Sequence, residues 1–139
     1  RQEVYSDQIK DAKPGFEIMQ GITVIINENV EEALVPLKHS LALYIGGMGA
    51  KSRNFHNELV KRMGFEEAAE RIQDLYLAGK KDEAMLAVPT ELADEISLVG
   101  SIDRIKDRLN AWRETPVSSL LVSTRSMGEL RAFAELVLG

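Results

Sequence analysis

Two apolar stretches constrain this chain most, because they stand so far apart. Phe16–Ile26 (FEIMQGITVII) and Ser118–Thr124 (SSLLVST) both read as β-strands, and nearly everything in residues 27–117 between them reads as helix. The first stretch closes on the β-favouring run Ile22–Ile26. A continuous apolar run marks a strand buried on both faces, the pattern of parallel sheets. A strand–helix–strand unit needs only about thirty residues. Residues 28–100 therefore read as a helical excursion inserted between two neighbouring parallel strands. Two strands neither close a barrel nor stand alone as a sheet. The expectation is one α/β region over 1–139, mostly helical, that is a piece of a larger protein.

Local signals fill in the excursion. Pro14-Gly15 is a turn, and Gly21 weakens the first strand locally. Asn29 can cap a helix, with Glu32 at the capping-box position. Val30, Ala33, Leu34, Leu37, Leu41 and Tyr44 form its apolar stripe, and Pro36 predicts a break or kink near Val35. Gly46-Gly47-Met48-Gly49 ends it. Further helices are predicted over Asn54–Arg62, Phe65–Ala78, Lys81–Ala87 and Thr90–Val99, with Gly100 as separator. Ser101 caps the next helix, whose core stripe is Ile102, Ile105, Leu109 and Trp112. Ser126 and Glu129 make a capping box for the last helix, with Leu130, Phe133 and Val137 facing the core. The closing order of helix, strand and helix is that of the last unit of an α/β barrel. The opening residues RQEVYSDQIKDAK read as the tail of a helix that begins upstream.

Composition excludes several function classes. A charged fraction of 28% and an apolar fraction of 45% describe an ordinary globular protein. The net charge of -5 argues against a nucleic-acid surface. The small basic groups Lys51–Arg53, Lys61–Arg62 and Lys80–Lys81 read as solvated. The chain has no cysteine, which excludes disulfides, thiolate metal sites and cysteine nucleophiles. His39 and His56 are the only histidines and make no conventional zinc set, so no metal is expected. No apolar run reaches membrane-spanning length and no secretory signal is visible. A cytoplasmic protein with neither nucleic-acid nor membrane partners is expected.

Candidate chemistry falls at two places. The segment IGGMGAKS offers Gly46, Gly47, Gly49 and Lys51 as a mobile turn near an anion. It is not a Walker loop, and it follows a helix rather than a strand. In an α/β barrel the ligand sits at the C-terminal strand ends. That rule selects Asn27 and Glu28 after the first strand, and Ser123, Thr124 and Arg125 after the second. Arg125, beside the start of the last helix, could receive a phosphate or carboxylate. His39, His56, Glu66-Glu67 and Asp94-Glu95 read as structural or solvated, and Trp112 as core.

Tyr44-Ile45-Gly46-Gly47-Met48-Gly49, Asn54-Phe55, Ile72-Gln73-Asp74-Leu75-Tyr76, Val88-Pro89 and Leu98-Val99-Gly100, followed by the Ile102–Trp112 helix and SSLLVST, together resemble the C-terminal part of the luciferase-like monooxygenase superfamily. The match is to its deazaflavin (coenzyme F-420)-dependent oxidoreductase branch. The resemblance implies a TIM (β/α)8 barrel, of which this chain would be the last quarter or so. Phe16–Ile26 would be the seventh strand and Ser118–Thr124 the eighth. It implies hydride transfer or oxygen activation on a reduced deazaflavin or FMN, with a small organic substrate. It assigns no catalytic residue here, since the family's ring-contacting and acid–base groups come largely from earlier strands. At most it places Gly46–Gly49 and Thr124–Arg125 near cofactor or substrate.

Two expectations follow. In the first, the parent protein is a flavin- or deazaflavin-dependent oxidoreductase, and this piece alone is inactive and binds no cofactor tightly. In the second, the chain is a non-catalytic helical oligomerisation or interaction module derived from the barrel tail. Unpaired strand edges and exposed apolar faces then predict that the isolated chain forms homo-oligomers or aggregates.

Overall fold

The computed structural model describes residues 14–50 and 52–139. The reading of residues 1–13 as a helix tail, and Lys51, lie outside the described residues. The elements run β1 (Met19–Ile26), α1 (Val30–Ala42), a π-helical turn (Leu43–Gly47), α2 (Phe55–Arg62), α3 (Glu66–Leu77), α4 (Lys81–Leu86), α5 (Thr90–Glu95), β2 (Ser97–Gly100), α6 (Ile102–Arg113), β3 (Ser119–Ser123) and α7 (Met127–Leu138). The described chain forms two compact units, residues 14–33 with Ile96–Gly139, and Leu34–Glu95.

The first unit is built on a three-stranded parallel sheet in the order β2-β1-β3. The two strands expected from sequence are thus parallel neighbours, with Gly21 opposite Leu121 and Thr23 opposite Ser123. One expectation is corrected. The helix starting at Thr90 does not reach Val99; it stops at Glu95, and Ser97–Gly100 is a strand along the other edge of β1. All four of its residues are buried, so its sequence carries no alternation that would distinguish strand from buried helix. Ile22 and Val24 from β1 and Leu98 from β2 pack on Ile105, Leu109 and Phe133 of α6 and α7. Trp112 and Leu136 join this core, as do Leu120 and Val122 from β3. Trp112 is therefore core, as its stripe position indicated.

The last helix is turned relative to expectation. Phe133 is buried, whereas Leu130 and Val137 are exposed, and Leu136 packs instead. Glu129 causes the turn. Its carboxylate accepts from the backbone amide of Ile26 at 3.3 Å and from that of Arg125 at 2.9 Å. Residues 129, 133 and 136 then share the inward face at helical spacing.

The second unit is helical. Its core joins Ala42, Ile45, Val60, Ala69, Ile72, Ala84, Val88 and Leu92. Helix α1 runs through Pro36 without the expected break. The apolar stripe changes register at its end. Tyr44 is 43% exposed and Ile45 is 1% exposed. A π turn closes i→i+5 rather than i→i+4, so it rotates Ile45 into the position that α-helical spacing assigns to Tyr44.

Candidate functional site

The glycine turn is a packing joint before it is anything else. A Cβ on Gly46 would lie 2.4 Å from Tyr76 Cβ and 3.2 Å from the Ile72 carbonyl oxygen. A Cβ on Gly47 would lie 2.4 Å from Tyr76 Cε1. Only glycine lets the π turn approach α3 this closely. Gly49 has φ 143° and faces the Arg53 carbonyl, which explains the third glycine. Single-turn π segments occur often at functional sites, and this one is held with care.

Two buried asparagines hold it. Asn54 donates from Nδ2 to the carbonyls of Tyr44 at 3.1 Å and Ile45 at 2.8 Å. Its Oδ1 accepts from the Asn57 amide at 3.1 Å, which caps α2. Asn57 donates from Nδ2 to Ile45 O at 3.2 Å and to Ala69 O at 2.8 Å. The pair therefore ties the π turn, the start of α2 and the first half of α3 together. Gln73, one turn beyond Ala69, is also buried, and its Nε2 has no hydrogen-bond partner among the described residues. Sequence reasoning did not find these buried amides; an Asn-x-x-Asn pair just after a Gly-Gly turn was the available signal. Outside the clamp, Tyr44 and the half-buried His56 bring their rings to 4.9 Å, and Phe55 stands edge-on to His56 at 5.6 Å. His56 is thus in a ring contact, and His39 is exposed, in line with structural and solvated roles.

The strand-end rim belongs to the first unit. Because the sheet is parallel, β1, β2 and β3 end at one edge, and α1, α6 and α7 all begin there. Each helix start is capped by a side chain. Asn29 accepts from Glu32 N at 3.2 Å, Ser101 from Arg104 N at 3.3 Å and Ser126 from Glu129 N at 3.1 Å. Three positive helix ends on one edge favour an anion. Asn27 is used locally, with its amide on Gly100 O at 3.0 Å and its Oδ1 accepting from Asn29 N at 2.9 Å. The Thr124 hydroxyl donates to Ser126 O at 3.0 Å. Arg125 Nη2 pairs with Glu129 Oε1 at 3.4 Å, its side chain half exposed. Glu28 and Ser123 are exposed. The rim thus gathers Asn27, Thr124 and Arg125, whereas Gly46, Gly47 and Gly49 lie in the other unit.

Arg104 and Arg108 are half-buried and donate to the Val99 and Ser97 carbonyls, whereas Lys61 pairs with exposed carboxylates. The Glu70 carboxylate bonded to Lys61 holds that ammonium above its ordinary pKa, helped by Glu58 and Glu66 and opposed by desolvation. A raised lysine value stabilises the fold at neutral pH, and the effect is lost only as pH rises through it. Among the described residues no group of three or more His, Asp and Glu could hold a metal ion. No helix of the described residues is long and apolar enough to cross a membrane.

The rim makes one stability prediction. Glu129→Ala removes the acceptor for two backbone amides and is expected to cost about 2 kcal/mol. Arg125→Ala removes only an exposed pair and should change stability by less than about 0.5 kcal/mol. Urea denaturation midpoints of the two variants check the contrast. Equal effects would mean that Arg125 is structural.

A family model described as luciferase-like monooxygenase matches residues 3–119. A curated relative from Mycobacterium tuberculosis (strain ATCC 25618 / H37Rv), named "Putative coenzyme F420-dependent oxidoreductase Rv3520c", is 35% identical over 133 residues, covering 91% of this chain. The chain spans 38% of that relative's length. No solved structure matches it. The relative carries the deazaflavin name that the Tyr44–Gly49 and Ile72–Tyr76 motifs pointed to. With a family match that runs from residue 3 to residue 119, this chain belongs to the luciferase-like monooxygenase family.

Proposed function

We propose that these residues form the C-terminal part of a (β/α)8 barrel oxidoreductase that uses coenzyme F-420 and moves hydride to or from a small organic substrate. The observation that carries the reading is the 35% identity to an oxidoreductase relative of which this chain covers 38%. The sheet supports it. β1 and β3 are parallel neighbours, as consecutive barrel staves must be. On the face of β1 and β3 away from α6 and α7, Ile25 is buried but Met19 and Leu121 are 65% and 62% exposed. A barrel interior would cover that face. The reading also makes a demand: β2 occupies the edge of β1 that a preceding stave would take in a closed barrel, so the whole protein must pair that edge differently.

The residues present fit the anionic portion of such a cofactor. The starts of α1, α6 and α7 with the Thr124 hydroxyl and the Arg125 guanidinium would hold it, Arg125 turning from Glu129 to do so. The deazaflavin supplies the hydride chemistry when bound, while the protein binds and orients. No side chain described here is assigned a proton-transfer role. The isolated chain, lacking the rest of the barrel mouth, is expected to be inactive and to bind neither F-420 nor FMN tightly. The absorbance spectrum of the whole protein purified with its cofactor tests this. A deazaflavin band supports the proposal, a flavin band reassigns the cofactor to FMN, and the absence of both after reconstitution removes the enzyme reading.

The second reading, a non-catalytic interaction module, draws on the exposed Met19 and Leu121 and on the helical core of Leu34–Glu95. Turnover by the whole protein would eliminate it.

A further inference from the structure

We draw no further inference here: the strongest candidate, the surface ring cluster of Tyr44, Phe55 and His56 beside the π turn of the helical unit, carries nothing because nothing in the structure shows what covers it.

Discussion

Gly46→Ala is expected to destabilise the helical unit by about 3 kcal/mol, the upper end of what overpacking usually costs. The added methyl would meet Tyr76 Cβ at 2.4 Å and Ile72 O at 3.2 Å. Neither atom can withdraw unless α3 moves. Gly47→Ala should cost less, about 1 kcal/mol, because its obstacle is the Tyr76 ring, which can swing. The Tyr76→Ala background separates the two. It removes the ring, so Gly47→Ala should become neutral there. It keeps Cβ, so Gly46→Ala should retain most of its cost. Urea unfolding of the four chains in each double-mutant cycle gives both coupling energies. Relief of both substitutions by Tyr76→Ala would contradict the packing described, as would relief of neither.

Asn57 should show the second large effect. Its Nδ2 joins Ile45 O and Ala69 O in a buried setting. Asn57→Ala deletes both hydrogen bonds and leaves a gap, for an expected loss of about 3 kcal/mol. Asn57→Asp keeps the shape but turns oxygens toward two carbonyls, with an expected loss of about 4 kcal/mol at neutral pH from the unpaired buried charge. The sign of its pH dependence follows. Burial and the facing carbonyls raise the folded-state pKa of the introduced acid above its unfolded value. The unfolded chain then holds fewer protons than the folded one between those values, so the loss should shrink as pH falls through the raised value. Thermal midpoints across an acidic pH series check this. A destabilisation by Asp that grows on acidification relative to the native chain would refute the clamp.

These two sites mark where sequence reasoning stopped. The strands around Ile22–Ile26 and Leu120–Val122 were legible because each is a short apolar run between turn signals, and the caps at Asn29, Ser101 and Ser126 because capping chemistry is local. The excess of chain between the strands suggested a helical excursion and hid β2, whose four buried residues have no period to read. Tyr44 was placed on the buried stripe because α-helical spacing was assumed, and the π turn moves burial to Ile45. The face of α7 followed its apolar residues until Glu129 was seen to reach the Ile26 amide. The Asn54 and Asn57 clamp depends on carbonyls nine to twelve positions away, so the Asn-x-x-Asn spacing after the glycines marks the pair without naming its partners. The candidate rim was found by a fold-level rule about parallel strand ends. The glycines were noticed for a possible anion contact, and their close approach to Tyr76 required the structure.

If, as proposed, this chain is one portion of a cofactor-binding barrel mouth, coenzyme F-420 should need the rest of the protein to bind. A fluorescence titration with coenzyme F-420 addresses it most directly, run on the whole protein and on residues 1–139 alone under the same conditions. Saturable binding by the whole protein, weakened at least tenfold by Arg125→Ala, with no measurable binding by the isolated chain, is the result predicted. Binding by the isolated chain as tight as by the whole protein would contradict the account.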